Sequence, residues 1–430
     1  MKKFRKKVSW IYIVFILFLL SVQGLAQTAG PAVQGTPITL EELLAEAETH
    51  NPELRATAHE LAAARQRVRP AGALPDPVIT VGQMNTGNIV PLTTLGKNEM
   101  TRASIGISQE FPLFGKRGLR EKMAIKEADA ESWNYESARL RVLADLKVAY
   151  YDLFFQYRAL ETLRKNMRLL EMFQETASAL YRVGKGNQAD VLRAQTELSL
   201  LQEQIELAEQ HKSVAEARIN ALLNRPADLP LPPPAPFEKA ALRHSLEELR
   251  GLALQQFPLL RQQGEVIQAR QYALQLAEKE RYPDFGVLFA YHNRGGLPDV
   301  WEVGGMARIP LYFNRKQKYE IEEAGERLSA AWEQQESLRA SLRFSVKDHY
   351  LEATTSERLL RLLEQTIIPQ ETLTLEATSA SYQVGGIDYL SVIDSLLKVT
   401  SDEISYYEYL TNFQKALARL EPIVGVELTH

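Results

Sequence analysis

What this chain can fold into is constrained above all by a duplication. The turn Tyr181-Arg182-Val183-Gly184 returns 201 residues later as Tyr382-Gln383-Val384-Gly385, and Val191-Leu192 returns as Val392-Ile393. Leu40-Glu41-Glu42-Leu43 returns as Leu246-Glu247-Glu248-Leu249, and Asn51-Pro52-Glu53-Leu54-Arg55 as Phe257-Pro258-Leu259-Leu260-Arg261, both 206 residues on. Pro75-Asp76 matches Pro283-Asp284, Pro112-Leu113-Phe114 matches Pro310-Leu311-Tyr312, and Leu146-Lys147 with Tyr150 matches Val346-Lys347 with Tyr350. Matches in one unbroken order describe two copies of a single supersecondary plan, not a string of independent domains. The offset drops from 208 at the Pro-Asp pair to 198 at the Pro-Leu pair, so a connection between them is about ten residues shorter in the second copy.

Residues 1–26 have the layout of a secretory signal peptide: Lys2, Lys3, Arg5, Lys6 and Lys7, an apolar run from Trp10 to Leu20, and the small-residue site Gly24-Leu25-Ala26. The apolar run falls short of the roughly 20 residues a spanning helix needs. Its removal takes away five basic residues and no acidic ones, leaving 45 Lys plus Arg against 54 Asp plus Glu, a net charge of −9. Such a balance gives no footing for nucleic acid. There is no cysteine, which excludes disulfides, thiolate metal sites and a lipid-modified N-terminal cysteine. The organisation expected is a first structural repeat over 27–224, a Pro-rich linker over 225–244 and a second repeat over 245–430.

Each repeat opens with an amphipathic helix. In the first, Thr39 is a candidate N-cap with Glu42 as its capping-box partner, and the helical pattern runs to the turn Pro70 to Pro77. A β-hairpin follows, at about 77–111 in the first repeat and 284–311 in the second. Ala103, Ile105, Ile107 and Phe111 alternate with polar or small residues, as do Phe285, Val287, Phe289 and Tyr291, and Trp301, Val303, Ala307 and Ile309; Val78 to Met84 is a weaker fourth candidate. The hairpin loops are expected at roughly 85–100 and 293–299. Aromatic residues at strand ends (Phe111, Tyr291, Trp301) and strand lengths near the roughly 9–11 residues of a tilted transmembrane strand suggest a barrel in lipid. Four strands cannot close one, and an open edge is not tolerated in lipid, so several chains must share it.

The rest is helix. From Lys116 to Arg182 there is no proline, and Leu146, Leu153, Leu160 and Met167 recur every seven residues beside Leu143, Tyr150 and Tyr157, a coiled-coil seam. After the glycine turn, Val191, Leu198, Ile205 and Ile219 form one register and Leu201, Ala208, Ala215 and Leu222 another. The second copy is expected to run from about Arg315 to Tyr382 with a kink at Pro369, then from beyond its turn to Leu420, where Pro422 stops it. Rods of this length, roughly 100 Å and 50 Å in the first copy at 1.5 Å per residue, do not fit a compact domain.

The Leu-Glu-Glu-Leu openings, the Asn-Pro-Glu-Leu run, the paired Tyr-x-Val-Gly turns, Asp190-Val191-Leu192-Arg193-Ala194-Gln195 and the doubled helix-hairpin-helix plan resemble the TolC family of outer-membrane efflux channels, over essentially the whole mature chain. Leu74-Pro75-Asp76-Pro77 and the stretch from Ser108 to Arg117 are similar to its heavy-metal (cation) efflux branch. The resemblance implies a mostly α fold with transmembrane β: a homotrimer sharing a twelve-stranded barrel in outer-membrane lipid, continued by a periplasmic α-helical coiled-coil tunnel. It implies as partners a periplasmic adaptor (membrane fusion protein) and an inner-membrane RND-type pump, and as function a passive duct in a tripartite efflux system, with heavy-metal cations among the candidate substrates. Its adaptor-docking tips fall on Val183, Gly184, Lys185, Gln383, Val384 and Gly385. Its gate falls on Asp190, a salt-bridge acceptor, Tyr382, and Asp394, one of two ring aspartates. This chain departs from the pattern at Ser391, where the other ring aspartate belongs, and at Ile387, where the arginine partner of Asp190 belongs.

Nothing in the sequence calls for catalysis, a cofactor or a bound metal. The seven histidines form no ligand pair at helical spacing, there is no nucleophile-elbow motif, and Gly184-Lys185-Gly186 lacks the spacing of a phosphate loop. A coiled-coil scaffold accounts for the rods and not for the two hairpins; an adaptor normally carries one helical hairpin, not two; a type I protein-secretion duct shares the plan and differs in cargo.

Overall fold

The computed structural model describes residues 36–87, 89–384 and 386–429; the expected signal peptide lies outside them. Thr39 caps α1 (Leu40–His50) through the reciprocal capping box with Glu42, and Ser245 with Glu248 builds the same device 206 residues later on α5 (Leu246–Gln256). The helix expected to run unbroken to Pro70 is two helices, α1 and α2 (Pro52–Gly72), because Pro52 cannot continue the first. Asn51 serves the joint: its Oδ1 accepts the Glu53 and Leu54 amides, and its Nδ2 donates to the Leu222 carbonyl at 2.8 Å.

The strands β1 (Val78–Met84), β2 (Arg102–Phe111), β3 (Asp284–Arg294) and β4 (Leu297–Arg308) form one antiparallel sheet in the order β1-β2-β3-β4. The pairs Val81↔Ile105, Ile105↔Tyr291 and Tyr291↔Trp301 carry one face straight across the sheet, as do Ile79↔Ile107, Ile107↔Phe289 and Phe289↔Val303. That face is bare: Val81 is 77% exposed and Val303 80%. The second loop is tighter than the expected 293–299, since β3 reaches Arg294 and only Gly295 and Gly296, both at positive φ, turn the chain.

Phe114 and Gly115 at positive φ redirect β2 into α3 (Lys116–Arg182), a rod of 67 residues. Here a buried cation ties the strands to the rods. Lys116 Nζ donates to Asp284 Oδ1 (2.9 Å) and Oδ2 (3.0 Å) and to the Tyr282 carbonyl (2.9 Å), with Glu280 at 3.2 Å, and its side chain is 1% exposed. Asp284 opens β3, so this cluster joins the end of one hairpin to the start of the other. Across the tip α4 (Gln188–Leu222) returns along α3, and α6 (Pro258–Lys279) leads from α5 back to β3.

Three large apolar clusters follow the rods, and a small fourth of Leu54, Ala138 and Val142 joins α2 to α3. One joins Leu43, Leu146, Tyr150, Leu153 and Ile219; one joins Leu249, Val346, Phe413 and Leu420; the third, toward the tips, joins Leu160, Leu170, Leu201, Val392 and Leu396. The expected seams are therefore the buried ones. The Pro-rich linker is more than a spacer: Ile38 accepts from Ala235 N and donates to Pro233 O, Tyr150 Oη donates to the Ala235 carbonyl, and Leu231 enters the first cluster.

In the second copy the interruption expected at Pro369 is present, and the stop expected at Pro422 needs correction. The rod expected from Arg315 is α7 (Gln317–Leu362), a π turn (Leu363–Ile367) and α8 (Ile368–Gln383). Pro369 has no amide to give its turn, and the ladder takes up the misfit just before it, with Ile368 N–H reaching back five residues to Leu363 O. Pro422 does not end the last helix. Helix α9 (Tyr389–Val424) carries Pro422 inside its final turn and stops at Gly425, whose positive φ of 69° lets its amide bond Glu421 O.

Candidate functional site

The rods end in two matching turns. Lys185 N donates to Leu180 O at 2.9 Å in the first, and Gly386 N to Ser381 O at 2.8 Å in the second, the same bond moved by 201 residues. Gly184 adopts φ 71°, a conformation that costs glycine nothing, and at Gly186 a Cβ would stand 2.9 Å from Tyr181 N. Asn187 and Asp388, also 201 apart, then cap α4 and α9 by accepting the Ala189 and Ser391 amides. Between them the turns display Val183, 67% exposed, and Val384, 84% exposed, with Lys185 and Gln383 exposed alongside. Gly385 lies outside the described residues. Two bare valines on rigidly capped turns make a small, paired, apolar tip.

Behind the tip lies the expected gate, of which only part assembles. Tyr382 (9% exposed) and Tyr389 (1%) meet at a centroid distance of 5.4 Å, inclined at 59°. Burial and then the negative charge of Asp190 push the Tyr382 phenol above its ordinary value. Burial, Tyr382 and Asp190 do the same to Tyr389. Asp190, half-buried in the first turn of α4, is thus brought to the tyrosines of the other hairpin. Ile387, where an arginine partner was expected, packs into the apolar cluster beneath, so the latch to Asp190 has no basic side chain at that position. Ser391 donates its hydroxyl and its amide to Asp388. Asp394 stands apart, exposed on α9.

Tyr389 escaped the sequence reading. Its hydroxyl is buried without a hydrogen-bond partner. Its only sequence signal is its place one residue after the cap Asp388, where an aromatic flanks the turn as Tyr382 does from the other side.

On the sheet face opposite the bare one, His292 is buried, with Ser104 Oγ 2.7 Å from Nδ1 and Glu302 Oε2 2.9 Å from Nε2. Among the described residues no group of three or more His, Cys, Asp or Glu side chains gathers as metal ligands, and no helix is long and apolar enough to cross a membrane.

An antiparallel sheet with a bare aliphatic face and unpaired outer strands, mounted on rods that end in paired turns, is a subunit of a membrane-spanning barrel with a helical extension. The profile of the outer membrane efflux protein family matches residues 43–225 and 249–426, one match per repeat, and the chain belongs to that family. It is an outer-membrane channel component of a tripartite efflux system, with its rods extending into the periplasm. It is 22% identical over 398 residues to the cobalt-zinc-cadmium resistance protein CzcC of Cupriavidus metallidurans, covering 92% of each chain. Among solved structures it shares the fold of CusC (TM-score 0.77, 15% identity, 90% of this chain and 91% of that one). It shares it equally with the outer membrane protein VceC of Vibrio cholerae (TM-score 0.77 and 16% identity, with 90% of this chain and 96% of that one covered).

Proposed function

We propose that three copies of this chain form a passive duct, a twelve-stranded barrel continued by a helical tunnel, that carries divalent transition-metal cations received from an inner-membrane RND-type pump through a periplasmic adaptor. The observation that supports the assembly is the sheet itself: its outer strands β1 and β4 are unpaired within the chain while its aliphatic face is bare, and in lipid such edges must close against something. The cargo rests on CzcC, whose name records resistance to cobalt, zinc and cadmium. A duct for ions needs no binding site of its own, so no catalytic step, cofactor or resident metal enters the reading.

The tips at Val183, Gly184, Lys185, Gln383, Val384 and Gly385 take the adaptor. Asp190, Tyr382 and Tyr389 hold the periplasmic end shut through the packing of the two rings, with the Asp190 carboxylate nearby and without a salt-bridge latch. Asp394 contributes one carboxylate per subunit to the pore mouth, where three like charges attract a cation. The test is a deletion strain challenged with cobalt, zinc and cadmium salts alongside detergents and dyes. Sensitivity to the metals that the wild-type gene reverses supports the cargo; sensitivity confined to detergents and dyes overturns it and leaves the channel.

A further inference from the structure

We infer that each subunit carries, on the lipid side of the junction between barrel and rods, a binding site for the phosphate of an anionic phospholipid, built from Lys279, Arg281 and the Tyr282 hydroxyl. The inference rests on the barrel reading above and adds to it which lipid the foot of the barrel selects and where.

Lys279 ends α6, and Arg281 and Tyr282 lie in the short link from it to β3. The link is held from behind: the Tyr282 amide donates to the Lys279 carbonyl at 3.0 Å, and the Tyr282 carbonyl accepts from the buried Lys116. The Tyr282 ring packs against Phe114 at a centroid distance of 4.9 Å, and two cations stand by it, Arg281 at 4.9 Å and Lys279 at 5.6 Å from its centroid. Arg281 also donates to Tyr282 Oη at 2.8 Å, which leaves the phenol proton free for an acceptor. Among the described residues neither cation has a carboxylate within 4.0 Å, because Glu280, the residue between them, is turned to Lys116 and Arg120. The negative end of the α6 dipole accounts for Lys279 but not for Arg281, which lies beyond the helix. Two like charges and a free phenol proton gathered at one ring make a site for an oxyanion. Guanidinium and ammonium are common partners of phosphate, and their flexible stems let both reach one group.

The position selects a lipid. Phe285, the first bare-face residue of β3, is 44% exposed and pairs with Phe111 and Ala307. Three residues of chain separate it from Tyr282, a reach of at most about 10 Å. That places the cations in the headgroup layer, roughly 5–8 Å deep beside the hydrocarbon on each side of a bilayer. Phe114, 49% exposed, continues the apolar surface to the ring. A phosphate held there has room for its acyl chains along Phe285 and Phe114, so the occupant is a phospholipid and not free phosphate. Two cations without carboxylate partners favour a headgroup of net negative charge, as in phosphatidylglycerol, over a zwitterionic one, whose ammonium they repel. The duplication fixes the number. The offset of 208 puts Ala71, Ala73 and Leu74 at the equivalent places in the first copy, where Pro75-Asp76 is kept while the cations and the hydroxyl are not. Each chain therefore has one site, and a trimer three.

The probe is dioleoylphosphatidylglycerol added to the detergent-solubilised channel and read by native mass spectrometry, with dioleoylphosphatidylethanolamine and inorganic phosphate as separate arms. Three phosphatidylglycerols per trimer are expected, bound about tenfold more tightly than phosphatidylethanolamine. Lys279→Gln with Arg281→Gln should weaken phosphatidylglycerol about tenfold and erase the preference. Lys318→Gln is the charge control. Lys318 also stands by a tyrosine, 5.9 Å from the Tyr319 centroid, but has Glu322 at 3.8 Å, so its loss should change little. The same spectra give the mass of every variant, so lipid loss is compared only between assembled trimers. Equal retention of the two lipids, equal losses in the double variant and in Lys318→Gln, or displacement of the lipid by inorganic phosphate overturns the site and leaves the barrel. A protein that is monomeric and stable without detergent overturns the barrel reading and the site with it.

Discussion

The cation buried between the hairpins gives the sharpest stability test. Lys116→Met keeps the length of the stem and removes the charge. Glu280, about a third exposed, still has Arg120 at 3.0 Å and water, so it loses little. Asp284 is left with the Leu113 amide, a long contact at 3.3 Å, and its side chain is only 10% exposed. Stranding one partner of a buried pair costs about 3–5 kcal/mol, far more than the ~0–1 kcal/mol of an exposed pair. Adding Asp284→Asn removes the stranded charge while keeping an acceptor for Leu113, and should restore at least half of the loss. Guanidinium unfolding of the detergent-solubilised protein, followed by circular dichroism, measures both variants and their coupling. A loss under ~1 kcal/mol for Lys116→Met, or a double variant no more stable than the single one, would falsify the claim that this junction is desolvated and held by the pair.

Four further outcomes are expected. Tyr389→Phe deletes a buried hydroxyl that has no partner, and relieving a cost of about 1–3 kcal/mol should leave the variant at least as stable as its parent in the same unfolding measurement; a clear loss would mean the hydroxyl is bonded. The Ser391 hydroxyl and then its amide hold the Asp388 carboxylate below its ordinary value of 3.8, so the cap's contribution is present above that value and is lost as pH falls through the lower folded one; amide exchange at the start of α9, corrected for intrinsic rate, should accelerate there, and Asp388→Asn should abolish the pH dependence. Replacing exposed Lys185 or Gln383 with tryptophan should weaken adaptor cross-linking and efflux while the turn bonds survive, and unchanged behaviour in both variants counts against docking at the tips. Polyvalent cations added from the periplasmic side should block conductance of the purified channel in a planar bilayer, less so in Asp394→Asn; equal block in both removes Asp394 from the pore mouth.

The duplication made most of the architecture legible, because a repeat carries over its hydrogen bonds as well as its residues. The capping boxes at Thr39 and Ser245 and the tip bonds from Lys185 and Gly386 are the same local solutions found twice. Strand existence and facing were readable from period-two alternation, and even the weakly patterned Val78–Met84 is a strand because Arg102–Phe111 supplies its partner. What escaped is what one copy does and the other does not. Pro422 looked like a stop, yet a proline in the final turn costs one amide bond near an end that Gly425 closes anyway. The linker looked like a spacer, yet its carbonyls are acceptors that Tyr150 and Ile38 use.

The candidate gate was half legible for the same reason. Asp190 and Tyr382 flank a repeated turn and could be placed by position, whereas their meeting with Tyr389 depends on how one hairpin lies against the other, a packing fact with no local signature. The irregularities concentrate in that second hairpin: the π turn at Leu363–Ile367, the unpartnered Tyr389 hydroxyl and the unpartnered Asp402 Oδ2 all belong to α7 through α9. A π turn leaves one residue out of helical phase, so the α8 side chains beyond it meet α9 in a different rotation than α3 meets α4. Two hairpins of one ancestral plan are thereby made unequal just where their tips converge. A ring of three subunits then presents two kinds of hairpin, and only one of them carries the buried phenols beside Asp190.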